Sequence, residues 1–160
     1  MGPRPQPIIS AGESNKASIG LVAMNNKSVL LHAHGSPIQF VGKSMIVEAC
    51  AIRKCVEKAI QHGWRKLYVL SDAKGVVDVL RKNMKTTWDI DVVCEDIWNI
   101  FASLEHIVFV HIPRRFNVVA HNVAKFSISL LSEFSWERLF PTWIVNDVEL
   151  SFGQTMSRMN

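Results

Sequence analysis

The chain has 160 residues, enough for one domain with a substantial core. Its 48% apolar and 20% charged content excludes a disordered chain, and no apolar run approaches membrane-spanning length. The formal charge of +4 fits a polyanionic partner, although a solvated basic surface gives the same balance. Residues 1–7 carry Pro3, Pro5 and Pro7 and read as an extended tail. That tail lacks the apolar stretch of a secretion signal, so a nuclear or cytoplasmic protein is expected. Ile8 to Ala11 reads as a short strand and Gly12 to Lys16 as a polar turn. Ile19 to Met24 and Ser28 to His34 form a hairpin around Asn25-Asn26-Lys27. Gly35 to Gly42 is a loop, after which Ser44 is placed to cap a helix. In that helix Val47, Cys50, Ala51, Cys55, Val56, Ala59 and Ile60 recur at helical spacing, and Gly63 ends it. Leu67 to Leu70 is a buried strand. Helices over Gly75 to Lys82 and Val92 to Leu104 flank a basic loop with Trp88. A strand over Ile107 to Ile112 and a helix over Val118 to Leu131 follow. Trp136, Leu139, Phe140, Trp143 and Ile144 are expected to pack back on the body, and residues 153–160 to fray. This order predicts an α/β fold, a mixed sheet with helices on both faces.

Three acidic or basic features stand out. Glu48 shares a line with Ile52, Cys55 and Ala59, the apolar stripe of its helix, where a carboxylate is costly unless a cation or donor meets it. Asp72 follows the carboxyl end of a buried strand, where open α/β sheets gather ligands; capping the next helix is its alternative role. The segment His111 to Lys125 runs from a strand through a basic turn into a helix. Arg114, Arg115 and Asn117 at that junction can present donors to a phosphate backbone, and His121 lies one turn beyond Asn117 on the same face. The loop Arg81 to Lys85, with Trp88, could clamp and stack on a strand of nucleic acid. Cys50, Cys55 and Cys94 form no CxxC pair and read as core thiols. His32, His34 and His62 show no ligand spacing with carboxylates and read as structural.

These residues carry a family resemblance. Val47-Glu48-Ala49-Cys50-Ala51 resembles the "AEA" helix start of ribonuclease H domains, and Leu70-Ser71-Asp72 their "ESD" strand end. The His111 to Lys125 segment resembles their H-x-P-R-x-x-N-x-x-A-D/H-x-L-A-K signature, and Phe140-Pro141-Thr142-Trp143-Ile144 the tail of the plant reverse-transcriptase-like branch. The resemblance covers a domain from residue 8 to 152. It implies a ribonuclease H-like fold with a five-stranded mixed sheet, an antiparallel meander followed by βαβ.

It also implies hydrolysis of RNA in an RNA–DNA hybrid by two magnesium ions, held by shared carboxylates because two dications ~4 Å apart repel. By resemblance Glu48 and Asp72 are the metal ligands and His121 occupies the fourth carboxylate's place. Counting back ten residues from Gly20 puts Ser10 where the family has its first aspartate, with Glu13 falling in the turn. Site charge drops from about four negatives to two, a change worth several kcal/mol even at an effective dielectric of ~20. The expectation is a nucleic-acid-binding domain of retroelement descent, its hybrid endonuclease activity impaired. The alternatives are a non-catalytic binding module, on a hybrid or another duplex, and a decayed protein-interaction domain.

Overall fold

The computed structural model describes residues 7–15, 17–38 and 43–159; for Trp88 and residues 152–159 only the backbone is described. Among the described residues six strands form one sheet. They are β1 (Ile8–Ser14), β2 (Ser18–Met24), β3 (Leu30–Pro37), β4 (Lys66–Ser71), β5 (His106–His111) and β6 (Phe134–Trp136), in the order β5-β4-β1-β2-β3-β6. β1, β2, β3 and β6 pair antiparallel, while β4 pairs parallel with both β1 and β5. The sheet therefore has six strands where five are expected, because Phe134 to Trp136 pairs on the outer edge of β3. The helices are α1 (Ser44–Gln61), α2 (Lys74–Leu80), α3 (Trp88–Phe101), α4 (Val118–Leu130) and α5 (Thr142–Met159). Among the described residues no helix is long and apolar enough to cross a membrane.

Two cores sandwich the sheet. On one face Ile9, Ala11, Leu21 and Ala23 pack under α1, with α3 behind it. On the other, Val22, Met24, Ala33 and Leu70 pack against Val119 and Val123 of α4 and Ile144 and Val148 of α5. Most of the inward stripe of α1 is as its spacing predicts, with Ile52, Cys55 and Ala59 fully buried, but Cys50 is only partly buried and Ile60, in the last turn, is exposed. Gly63, at φ +74°, turns the chain out of that helix.

Several local expectations change. β1 does not stop at Ala11. Gly12, Glu13 and Ser14 continue the ladder opposite Gly20, Ile19 and Ser18, so the polar residues belong to the strand. Lys16 and residues 39–42, parts of the expected turn and loop, lie outside the described residues. Lys43, not Ser44, stands at the cap of α1, and no side chain caps it. Leu139 stays exposed at 88%, whereas Phe140 and Trp143 do pack against the second core. The C-terminal backbone continues as helix through Met159, where fraying is expected.

One row of residues sets the height of α4. Gly12, Gly20 and Gly35 are register partners across three strands. A Cβ on Gly12 would sit 2.9 Å from both the Ala120 Cβ and the His121 N. A Cβ on Gly20 would meet the Ala120 carbonyl and lie 2.6 Å from the Ala124 N. The helix backbone thus rests directly on the strand backbones, as only side-chain-free positions permit. Gly20→Ala must push α4 off the sheet and is expected to cost about 1–2 kcal/mol in urea unfolding. Gly12→Ala acts the same way, whereas a Cβ on Gly63 meets nothing within 4 Å and strains only the turn.

Candidate functional site

The close seat of α4 brings its first turn level with the end of β4. Asn117, fully buried, ends a 3-10 turn (Arg114–Phe116) and sits just before Val118. Its side-chain nitrogen donates to the Ala11 carbonyl at 2.7 Å and to Asp72 Oδ1 at 3.4 Å, and its oxygen accepts from the Ser10 hydroxyl. His121, one turn on, bridges two elements. Nδ1 faces the Glu13 carbonyl and Nε2 lies 3.1 Å from Asp72 Oδ2. Both oxygens of Asp72 are therefore engaged by the protein's own donors. The capping role considered for Asp72 is not taken: Ala73 stands at the cap of α2, no side chain caps that helix, and the Ala73 N–H donates to the Ser71 hydroxyl.

Charges in this cluster are strongly coupled. Burial alone would push Asp72 up, but the His121 hydrogen bond and charge, with Asn117 and Arg114, hold it below the ordinary carboxylate value. Burial likewise pulls His121 down, and its bonds to Asp72 and the Glu13 carbonyl more than reverse that, so its pKa is raised. The result is a shielded ion pair, with the two side chains 10% and 7% exposed. Glu48 differs. Burial, then the charges of Asp72 and Glu13, push its carboxyl up to about 7, against the pull of His121 and Arg114. Two of the sequence-predicted acids thus lie at one site, joined by Glu13. That third carboxylate is assigned to a turn by sequence reading, but it is buried in β1.

Strand alternation separates the members of β1. Ser10 and Gly12 face α4, whereas Ala11 and Glu13 face α1, the helix that carries Glu48. Ser10 is fully buried, and its hydroxyl is spent on Asn117. Arg114 and Arg115 are exposed at the turn; Arg115 covers the Phe116 ring at 4.9 Å, and Arg114 is the one whose charge reaches Glu48, Asp72 and His121. A cleft of about 260 Å³ opens beside the cluster, lined by Glu13, Asn15, Arg114, His121, Asn122 and Lys125. The loop beyond α2 presents Arg81, Lys82 and Lys85 to solvent, with Lys82 Nζ 5.2 Å from the Trp98 ring; the side chain of Trp88 lies outside the described residues.

The donor set does not fit a carboxylate-bridged pair of magnesium ions. Magnesium demands hard oxygens in near-octahedral geometry. Here an imidazole raised toward its cationic form occupies one side of Asp72, the amide of Asn117 occupies the other, and the Ser10 position faces away from Glu48.

The sequence profile described as "Reverse transcriptase-like" matches residues 10–127, which include Glu48, Asp72 and His121. Comparison with curated proteins finds no match. Among solved structures, the chain is similar to RNase H1 from the halophilic archaeon Halobacterium salinarum NRC-1, at 16% identity and a TM-score of 0.69, covering 78% of this chain and 97% of that one. It is similar to the N-terminal RNase H domain of a Mycobacterium tuberculosis protein at 18% identity and a TM-score of 0.69, covering 79% and 95%. It is also similar to LC11-RNase H1, isolated from compost and solved in complex with an RNA/DNA hybrid, at 22% identity and a TM-score of 0.70, covering 79% and 100%. With three quarters of its length matched by the family profile and TM-scores of 0.69 to 0.70 to RNase H structures, this chain belongs to the reverse transcriptase-like family and has a ribonuclease H-like fold.

Proposed function

We propose that this chain is a ribonuclease H-type domain that binds the backbone of a nucleic-acid duplex, an RNA–DNA hybrid foremost, with two-metal hydrolysis weak or lost. The observation that carries the reading is the cleft beside the acidic cluster. Arg114 and Lys125 line it together with Glu13 and His121. Exposed guanidinium and ammonium groups there suit phosphate oxygens. The hybrid bound by LC11-RNase H1 supports the choice of duplex. Asn117 positions Asp72 from inside the fold and is not itself available to phosphate.

The catalytic half of the proposal rests on the internal neutralisation of Asp72. An imidazole whose hydrogen bond to Asp72 favours its protonated form takes the place in which the family's chemistry needs a carboxylate. Glu48 and Asp72, with Glu13, remain the residues that would hold a single hard cation, at an affinity lowered by His121.

Hybrid binding is expected to weaken steeply with salt, and Arg114→Glu with Arg115→Glu to flatten the slope of log K against log salt by about 2. In the same preparation magnesium is expected to yield no hybrid cleavage above background. Binding that ignores salt and the two substitutions would remove the nucleic-acid reading. Magnesium-dependent cleavage abolished by Asp72→Asn would instead restore the enzyme. Ser10→Asp is expected not to rescue cleavage, because its carboxylate would enter the Asn117 slot on the α4 face.

A further inference from the structure

At the opposite end of α1 lies a second cluster that the sequence spacing does not reveal. His32 on β3 is 1% exposed, and neither of its ring nitrogens has a hydrogen-bond partner among the described residues. Leaving such groups buried and unpaired costs about 1–3 kcal/mol each, a cost that a ligand on the ring would offset. His62, the residue that ends α1, tilts its ring against His32 at 4.6 Å between centroids. Its Nδ1 lies 2.8 Å from the Lys58 carbonyl. Donation to that carbonyl places the proton on Nδ1 and the lone pair on Nε2, the arrangement by which outer partners orient a metal-ligating histidine. Glu137, just past β6, completes the group. Its Oε1 lies 3.7 Å from His62 Nε2 and 3.8 Å from His32 Nδ1. All three potential ligand atoms fall within 4.8 Å of one another.

We propose that His32, His62 and Glu137 form a site for one zinc-class divalent cation. Two imidazoles and a carboxylate match the borderline character of zinc better than that of magnesium. Zinc–nitrogen bonds of ~2.0–2.1 Å put tetrahedral ligand atoms ~3.3 Å apart, so the two contacts to Glu137 must shorten by about half an ångström and the two imidazoles must approach by at most about 1.5 Å, within the reach of side-chain rotation. Glu137 and His62 are exposed, which gives the ion an entry path and leaves its fourth position to water. The cation would join three elements distant in sequence: β3, the end of α1 and the segment after the three-residue β6. It would thereby pin the weakest strand of the sheet.

Other groups facing the site act in both senses. The charges of Lys58 and Lys54 oppose a cation near His32 and His34, while Glu133, 3.0 Å from His34 Nε2, favours one. That Glu133 contact is close without hydrogen-bond geometry, and His34 is held from its other nitrogen by Ser135 at 2.6 Å. The site is independent of the acidic cluster, since α1 separates His62 from Glu48 by about 20 Å at 1.5 Å rise per residue.

The test is titration of the full chain with zinc, and with cobalt(II) as a spectroscopic probe of tetrahedral coordination. One equivalent is expected to bind, with tetrahedral cobalt absorption and a rise in thermal midpoint. His62→Gln and Glu137→Gln, both surface changes that keep the fold, are each expected to weaken binding on the order of 100-fold, the upper range for losing even an outer partner. Cys50→Ala is expected to leave binding unchanged, which excludes the half-buried thiol as the ligand. Absence of binding up to millimolar zinc overturns the proposal. So does binding that survives both His62→Gln and Glu137→Gln.

Discussion

His121→Ala is expected to destabilise the protein by about 3–5 kcal/mol at pH 6, the range for removing one partner of a buried ion pair. Asp72 would keep only Asn117 and the more distant Arg114, at a side-chain exposure of 7%. The pH dependence separates this loss from a simple packing defect. Asp72 is depressed in the fold, so its contribution is present above its unfolded value near 3.8 and is lost as pH falls through the folded value. His121 is raised, so its contribution is full below its unfolded value of 6.5 and is lost as pH rises through the folded value. The pair therefore acts at full strength between about pH 4 and pH 6.5. In denaturant unfolding the gap between wild type and His121→Ala should narrow as pH rises through the folded value of His121, leaving only the cost of the lost packing. A constant difference would mean that His121 is only a space filler. His121→Asp should be worse than His121→Ala, since it sets two carboxylates against each other without a cation.

Glu48→Gln is expected to have the opposite sign, stabilising the protein by about 2–3 kcal/mol at pH 8 and by almost nothing below pH 4.5. The folded carboxyl titrates near 7 against 4.5 in its ordinary state. Between those values the folded protein holds a proton that the unfolded chain has released, so wild-type stability falls as pH rises through that window. Glutamine has nothing to release. The stabilising sign is the signature of a residue kept for a ligand rather than for the fold. Thermal unfolding of both proteins at pH 4.5 and pH 8 decides it. If Glu48→Gln is destabilising at pH 8, the carboxylate has a structural donor and the functional reading of that position fails.

Much of this architecture is legible in order along the chain, because it is written in local periodicity. The apolar stripe of α1 follows from spacing, and with it the anomaly of Glu48 on the buried side. Asp72 past β4, and Asn117 with His121 on one face of α4, follow from the same geometry, and both meet Asp72 as their shared face implies.

Relations across elements are another matter. Glu13 looks like a turn residue until Gly12 and Gly20 are known to be register partners, for pairing rather than local propensity extends β1. The row of Gly12, Gly20 and Gly35 has no meaning in one dimension; it becomes a seat only when three strands lie side by side beneath α4. The counting that selects Ser10 is blind to which face of the strand a residue occupies, and a shift of one position exchanges the α4 face for the α1 face.

His32, His62 and Glu137 sit too far apart in sequence for any spacing rule to join them. Sequence by itself determined the order of strands and helices as far as α4, the family and the two acids; β6 and α5 emerged only in the folded chain. Tertiary structure alone decided which donors neutralise Asp72 and which histidines meet, because those contacts arise where distant elements pack together, and no local periodicity encodes that meeting.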